Sequence, residues 1–189
     1  MKKMKLSAKL IGAFLIISFI ALIIGLIGIT QIRNVAQLDA EMYAQCTKPL
    51  GNISVVSVTF QKTRGLVRDA VINKFLYEKP VDEILKIIQD LNKTGMEAIT
   101  EFEKTIKTTE EKQAYDALKT DLSRYISTRD KLFSLINEGK KDEAIALLQT
   151  EVSSQAEQLQ KAFDRIGYGK LENARKTSEQ NASRATWAV

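Results

Sequence analysis

Residues 10–29 read LIGAFLIISFIALIIGLIGI and contain no charged side chain. At about 1.5 Å per residue such a run makes a helix of about 30 Å, the hydrocarbon thickness of a bilayer. In lipid every backbone polar group must be satisfied within the segment, which a helix alone achieves for a single span. The competing reading is a cleaved secretory leader, whose apolar core runs about 7–15 residues before a small-x-small site. This run is longer, and Thr30, Gln31, Ile32, Arg33, Asn34 and Val35 continue a helix without offering such a site. An uncleaved anchor is therefore expected. Lys2, Lys3, Lys5 and Lys9 all precede it. Positive charge stays on the cytoplasmic side, so the N-terminus is expected there and the rest of the chain outside.

The chain has 28 basic and 23 acidic residues, a net charge of +5. Most of that excess is the four lysines before the span. The remainder of the chain is nearly neutral, so the charge belongs to membrane topology and no nucleic-acid partner is expected. There is no histidine and one cysteine, Cys46. That removes the usual general base, the commonest metal ligand and any disulfide framework within the chain. No cofactor, metal site or enzymatic activity is expected. Cys46 lies on an apolar stripe and reads as a small hydrophobe, with a bridge to a second copy as the lesser alternative.

Beyond the span, apolar residues recur at helical spacing. The first helix carries Leu38, Met42, Cys46, Leu50, Ile53, Val56, Phe60, Val67, Val71 and Phe75 on one face. Pro49 and Gly51 predict a kink or short break in it. A second helix is predicted from Pro80, with Asp82 and Glu83 at its positive end and a stripe through Ile84, Ile88, Leu91, Gly95, Ile99, Phe102 and Ile106. Thr108 and Glu111 have the spacing of a capping box. The third helix then carries Tyr115, Leu118, Leu122, Tyr125, Leu132 and Ile136 and ends at Gly139. The fourth starts near Lys141, Asp142 and Glu143 and carries Ala144, Leu148, Val152, Leu159, Phe163, Ile166 and Leu171. Gly167 and Gly169 are expected to loosen it locally.

The fold class is all-α: an N-terminal transmembrane helix continuing into an up-down antiparallel four-helix bundle. The expected organisation is a cytoplasmic N-terminus at 1–9, the span at 10–29 and a bundle at 30–185. Residues 186–189 include Trp187, suited to a membrane boundary, and read as the possible start of a second span. The middle helices reach only about 40 Å and the outer two about 70 Å, so the outer pair is expected to form a membrane-proximal stalk.

Two arginines need an explanation. Arg64 and Arg68 are one turn apart, and Arg64 falls on the apolar stripe between Phe60 and Val67. An unpaired guanidinium is costly to bury. Its fork matches a carboxylate, so one reading is an anion clamp for a small ligand. The other, more common outcome is an interhelical salt bridge or a side chain snorkelling to water. Arg129 interrupts the third stripe in the same way and is expected to pair with an acid on a neighbouring helix. The doublets Asp82-Glu83, Glu110-Glu111 and Asp142-Glu143 sit at helix starts, where negative charge is stabilising, and do not read as catalytic carboxylates. A further apolar edge of Ile32, Ala36, Tyr43 and Ile53 predicts packing against a second copy of the chain.

The layout resembles the N-terminal part of bacterial methyl-accepting chemotaxis proteins. The likeness is carried by the Lys-rich start with Lys9-Leu10-Ile11, by Lys48-Pro49-Leu50, by Thr63-Arg64 and Arg68-Asp69-Ala70, and by the 137–144 turn Asn-Glu-Gly-Lys-Lys-Asp-Glu-Ala. The resemblance implies a homodimeric receptor in the bacterial inner membrane, binding a small molecule outside and shifting its fourth helix slightly toward the cytoplasm. It also implies that Arg64 and Arg68 hold an amino-acid or dicarboxylate ligand at the dimer interface. The second membrane helix, HAMP linker and cytoplasmic hairpin of that family are not among these 189 residues; these residues are expected to bind a signal and not to transmit it alone. A sensor kinase or cyclase receptor would share the bundle, and a single-span scaffold would share the anchor.

The charge asymmetry predicts that protease added to intact spheroplasts digests the bundle. Protection of the whole chain contradicts the topology.

Overall fold

The computed structural model describes residues 6–186. Lys2, Lys3, Lys5 and Trp187, which carry the topology and boundary expectations, lie outside that range. The described chain is helical with short turns and forms two compact units, 1–43 and 44–189. In the first, α1 spans Leu6–Met42. Its apolar stretch is long enough to cross a membrane, and none of the most apolar window is buried.

The second unit is the bundle. Its helices are α2 (Lys48–Phe75), α3 (Asp82–Glu103), α4 (Thr109–Asn137) and a fourth made of α5 (Lys141–Leu147) and α6 (Ser153–Thr186). Two wide π turns interrupt the regular bonding, at Tyr43–Thr47 and at Leu148–Val152. The first bears on the break expected at Pro49. The proline sits in the first turn of α2, and the irregularity lies just before it. Pro49 lacks an N–H, and its ring crowds the carbonyl four residues back, so the preceding turn widens. Gly51 causes no break. The second π turn has no proline or glycine to announce it. There the Ser153 hydroxyl donates to the Leu148 carbonyl at 2.7 Å.

The other boundaries follow from end chemistry. α3 begins at Asp82, two residues after Pro80, with Asp82 and Glu83 in its first turn. It ends at Glu103, so Ile106 packs on the core from the connecting turn. Thr108 caps α4 by accepting from the Glu111 N–H at 3.1 Å. The reciprocal arm differs from a capping box, since Glu111 accepts from the Lys107 N–H at 2.9 Å. After α4, Gly139 at φ +72° lets the Lys140 N–H reach the Leu135 carbonyl at 3.0 Å, a Schellman turn that glycine alone enters without strain.

Neighbours run antiparallel, as Lys48 with Glu101 and Thr59 with Gly95 show for α2 and α3. A Cβ at Gly95 would meet the Thr59 hydroxyl at 3.1 Å, so glycine permits the close approach there. The core holds Val56, Phe60 and Val67 of α2, Ile88 and Ile99 of α3, Leu118, Tyr125 and Leu132 of α4, and Leu159 and Phe163 of α6. Ile53, which falls both on the inward stripe and on the edge expected to meet a second copy, is 5% exposed and belongs to this core. Its place in the period of Val56 and Phe60 turns it inward, while Ile32 and Tyr43 are exposed.

On α6 the inward position after Ile166 goes to Lys170, 5% exposed, and not to Leu171, 56% exposed. The helix is unbroken across Gly167 and Gly169, so the stripe keeps its phase. Lys170 is tolerated inside because its Nζ meets Glu111 at 2.7 Å, donates to the Thr105 carbonyl at 3.2 Å and lies 5.6 Å from the centre of the Phe102 ring. Burial alone would raise the Glu111 carboxyl. The hydrogen bond from Lys170, the Lys107 N–H and the Lys170 charge outweigh it and hold the group below its ordinary value. A depressed folded pKa stabilises the fold above the unfolded value near 4.3, and that stability is lost as pH falls through the folded value. Glu111→Gln is therefore expected to cost about 2 kcal/mol near neutral pH, with the difference from the parent shrinking below about pH 4. Denaturation curves across that range measure it; a pH-independent difference contradicts the assignment.

Candidate ligand-binding site

One turn above Phe60 the bundle core holds a polar patch. Phe60 meets Tyr125 edge to face, with centroids 5.2 Å apart, and Phe163 at 5.4 Å. Beside these rings lies a cavity of about 110 Å³. Its walls are mainly apolar, with Phe60, Leu122 and Phe163 among them, and its polar lining comes from Thr59, Thr63, Asn92, Tyr125 and Arg129. Met96, which is 52% exposed, also lines it, so the cavity reaches the surface there.

Arg129 is 6% exposed. Its Nη1 donates to Asn92 Oδ1 on α3 at 3.1 Å, and its Nε and Nη2 donate to Asp130 Oδ1 at 3.2 and 2.9 Å. The acid expected on a neighbouring helix is thus on its own helix, one residue on, and the neighbour supplies a neutral amide. Successive residues lie about 100° apart on a helix, so Asp130 faces solvent and folds back over the guanidinium from outside. These bonds use the Nε hydrogen and one hydrogen on each terminal nitrogen. The second hydrogen on each terminal nitrogen has no partner among the described residues.

Tyr125 is 1% exposed, and its hydroxyl has no hydrogen-bond partner among the described residues. The other such buried side-chain atoms among the described residues are Asn52 Nδ2 and Gln155 Oε1. Burial pushes the Tyr125 phenol up, and the charges of Arg129, Arg64 and Arg68 pull it back, in that order. Three guanidinium groups therefore set a positive potential at this hydroxyl.

Arg64 and Arg68 do share this end of α2, as their spacing predicted. The stripe position between Phe60 and Val67 belongs to Thr63, which is buried, while Arg64 is half-buried at the edge and Arg68 is exposed. No ion pair or hydrogen bond joins either arginine to another described residue, so the interhelical salt bridge expected as the common outcome is not formed. Asp69 does not pair with Arg68. Sequence reading marked Arg129 but overlooked Tyr125, Thr63 and Asn92 as members of the site. The available signal was Tyr125 one helical turn before an arginine on the same stripe.

A wider cleft of about 380 Å³ lies beside Glu111 and Lys170, whose charges already satisfy each other. Among the described residues no group of histidine, cysteine, aspartate and glutamate side chains is placed to hold a metal ion.

A family model described as a four helix bundle sensory module for signal transduction matches residues 3–185. No curated protein and no solved structure matches the chain at a significant level.

An unpartnered buried hydroxyl carries a desolvation penalty without a compensating bond. Tyr125→Phe is therefore expected to stabilise the unliganded protein by about 1 kcal/mol in chemical denaturation. A loss of that size contradicts the absence of a partner.

Proposed function

The chain belongs to the four-helix-bundle sensory modules of signal transduction, and from that premise we propose that it is the ligand-sensing region of a chemotaxis-type receptor. The observation that carries this reading is one family match that takes in both the apolar helix and the bundle. In this proposal the N-terminus is cytoplasmic, the bundle lies outside a bacterial inner membrane, and the protein is not an enzyme. It works as a homodimer. Val55, Val58 and Ile72 give α2 exposed apolar side chains suited to a second copy. Arg64 and Arg68 have no acidic partner among the described residues and offer their forks to a small hydrophilic carboxylate, an amino acid or a dicarboxylate. Binding shifts the fourth helix slightly along its axis. A histidine-kinase or cyclase output would use the same bundle; a scaffold would bind no ligand.

Thermal denaturation of the full chain in lipid nanodiscs with a panel of amino acids and dicarboxylates tests this. Ligand at about 100 times its Kd adds about 2.7 kcal/mol of stability. The Arg64→Ala, Arg68→Ala double variant is expected to lose that shift with helicity unchanged, and Arg64→Lys to recover part of it, because an ammonium lacks the fork. A shift that survives the double variant contradicts the clamp, and no shift with any ligand contradicts sensing.

A further inference from the structure

We propose a second ligand site, inside a single subunit, where the cavity beside Arg129 takes a small monocarboxylate with a compact apolar body. The inference does not depend on Arg64 and Arg68 forming a clamp. It starts from an imbalance in the core. Beside the cavity the unused bonding capacity is mostly that of donors; the exception is Thr59, whose hydroxyl hydrogen goes to the Val55 and Val56 carbonyls and leaves it an acceptor. The terminal nitrogens of Arg129 each retain a free hydrogen. Asn92 has spent its carbonyl oxygen on Arg129, which leaves its amide hydrogens. The Tyr125 hydroxyl has no partner, and the Thr63 hydroxyl makes no hydrogen bond to another described residue.

Donors in excess of acceptors in a positive field select an acceptor-only, anionic group. A carboxylate satisfies that requirement. A cation would meet the same field with repulsion, and a neutral alcohol would leave most of the donors unpaired. The remaining walls fix the other half of the ligand. Val56, Phe60, Leu91, Leu122, Ile126 and Phe163 are apolar and surround the cavity on several helices. At about 110 Å³ the enclosed space is smaller than the apolar cavity of about 150 Å³ that holds benzene, so it takes a compact branched body and leaves a ring partly in the mouth beside Met96. A branched four- or five-carbon acid fits, and a benzoate-sized one fits with its ring edge in that mouth; a long-chain acid does not. Entry is past Met96, whose flexible thioether is exposed at the mouth.

Charges on two of the packed helices act on this group. α4 supplies Arg129 and, outside it, Asp130; α2 supplies Arg64 and Arg68. Asp130 already shields one side of Arg129, and an incoming carboxylate takes the other. The ligand would thereby bridge α4 to α2 and α3, the helices whose packing it completes.

Calorimetric titration and thermal shift on the full chain in nanodiscs, with propionate, isovalerate, benzoate and octanoate as probes, test the site. Isovalerate and benzoate are expected to bind, and propionate and octanoate to bind at least about tenfold more weakly. Arg129→Met is expected to weaken benzoate by about tenfold or more. Because that variant also alters a buried bond network, Met96→Trp provides a second arm. It lies at the exposed mouth, leaves the core intact and is expected to block binding while the unliganded melting temperature stays unchanged. Tyr125→Phe is expected to raise that melting temperature and still weaken benzoate by about threefold or more, a combination a purely structural tyrosine would not give. The Arg64→Ala, Arg68→Ala double variant is expected to change benzoate affinity by no more than about threefold, since those charges act at longer range. Benzoate that binds equally well to the Arg129→Met and Met96→Trp variants overturns the proposal. So does benzoate binding abolished by the Arg64, Arg68 double variant alone. If amino acids or dicarboxylates stabilise the parent protein and none of the apolar acids does, the cavity proposal fails and the sensing reading stands; if no acid of either class binds, both fail.

Discussion

The contact of Phe60 with Tyr125 and Phe163 joins three helices at one level, with ring centroids 5.2 and 5.4 Å apart. Such pairs contribute about 0.5–1.5 kcal/mol beyond the area they bury. Their larger consequence is positional. They hold the Tyr125 ring against α2, which carries its hydroxyl to the level where Arg129 enters the core from α4. Below that level the core is closed by Leu118, Phe102 and Ile166, with the paired Lys170 beneath them. At it a guanidinium, an amide and two hydroxyls interrupt the hydrocarbon, which resumes above with Val67, Leu132, Ile136 and Leu159. A helical core that admits an arginine needs a compensating set of acceptors, and this one supplies fewer than the donors require.

The two buried cations solve the same problem differently. Lys170 is fully engaged by Glu111, the Thr105 carbonyl and the Phe102 face. That set ties α6 to the turn between α3 and α4, so any sliding of α6 against the turn lengthens a 2.7 Å ion pair. Burial of a matched pair returns little net stability, but removing one partner strands the other. Arg129 is held from one side and left open on the other. The first arrangement fixes helix register; the second keeps bonding capacity for something outside the chain.

Much of the fold was legible because helical period is a local property. Phe60, Val67, Leu118, Leu132, Leu159 and Phe163 fall inward where their spacing placed them, and Thr108 caps α4 where its spacing to Glu111 suggested. The failures come from interactions that are not local. Leu171 reads as a better core residue than Lys170, and only the distant Glu111 makes the lysine acceptable inside. Arg64 and Thr63 both fit the spacing between Phe60 and Val67, and the backbone phase turns Thr63 in. The π turn at Leu148–Val152 lets Leu147 and Val152 both face inward at a spacing an α-helix would not keep on one face. Of the site, the arginines were visible as charges on apolar faces. The unsatisfied Tyr125 hydroxyl was not, since a tyrosine on a stripe looks the same whether or not its oxygen finds a partner.

The central claim is that the polar level of this core admits a ligand from outside the chain. The chain has four methionines, and Met96 is the one at the mouth of the cavity. Methyl spectra of the full chain in nanodiscs, labelled at the methionine methyl carbons and assigned with Met96→Leu, report on that mouth directly. The account predicts that the Met96 resonance moves saturably as benzoate is added, in parallel with the rise in melting temperature. A melting temperature that rises while the Met96 resonance stays fixed places the ligand elsewhere and contradicts it.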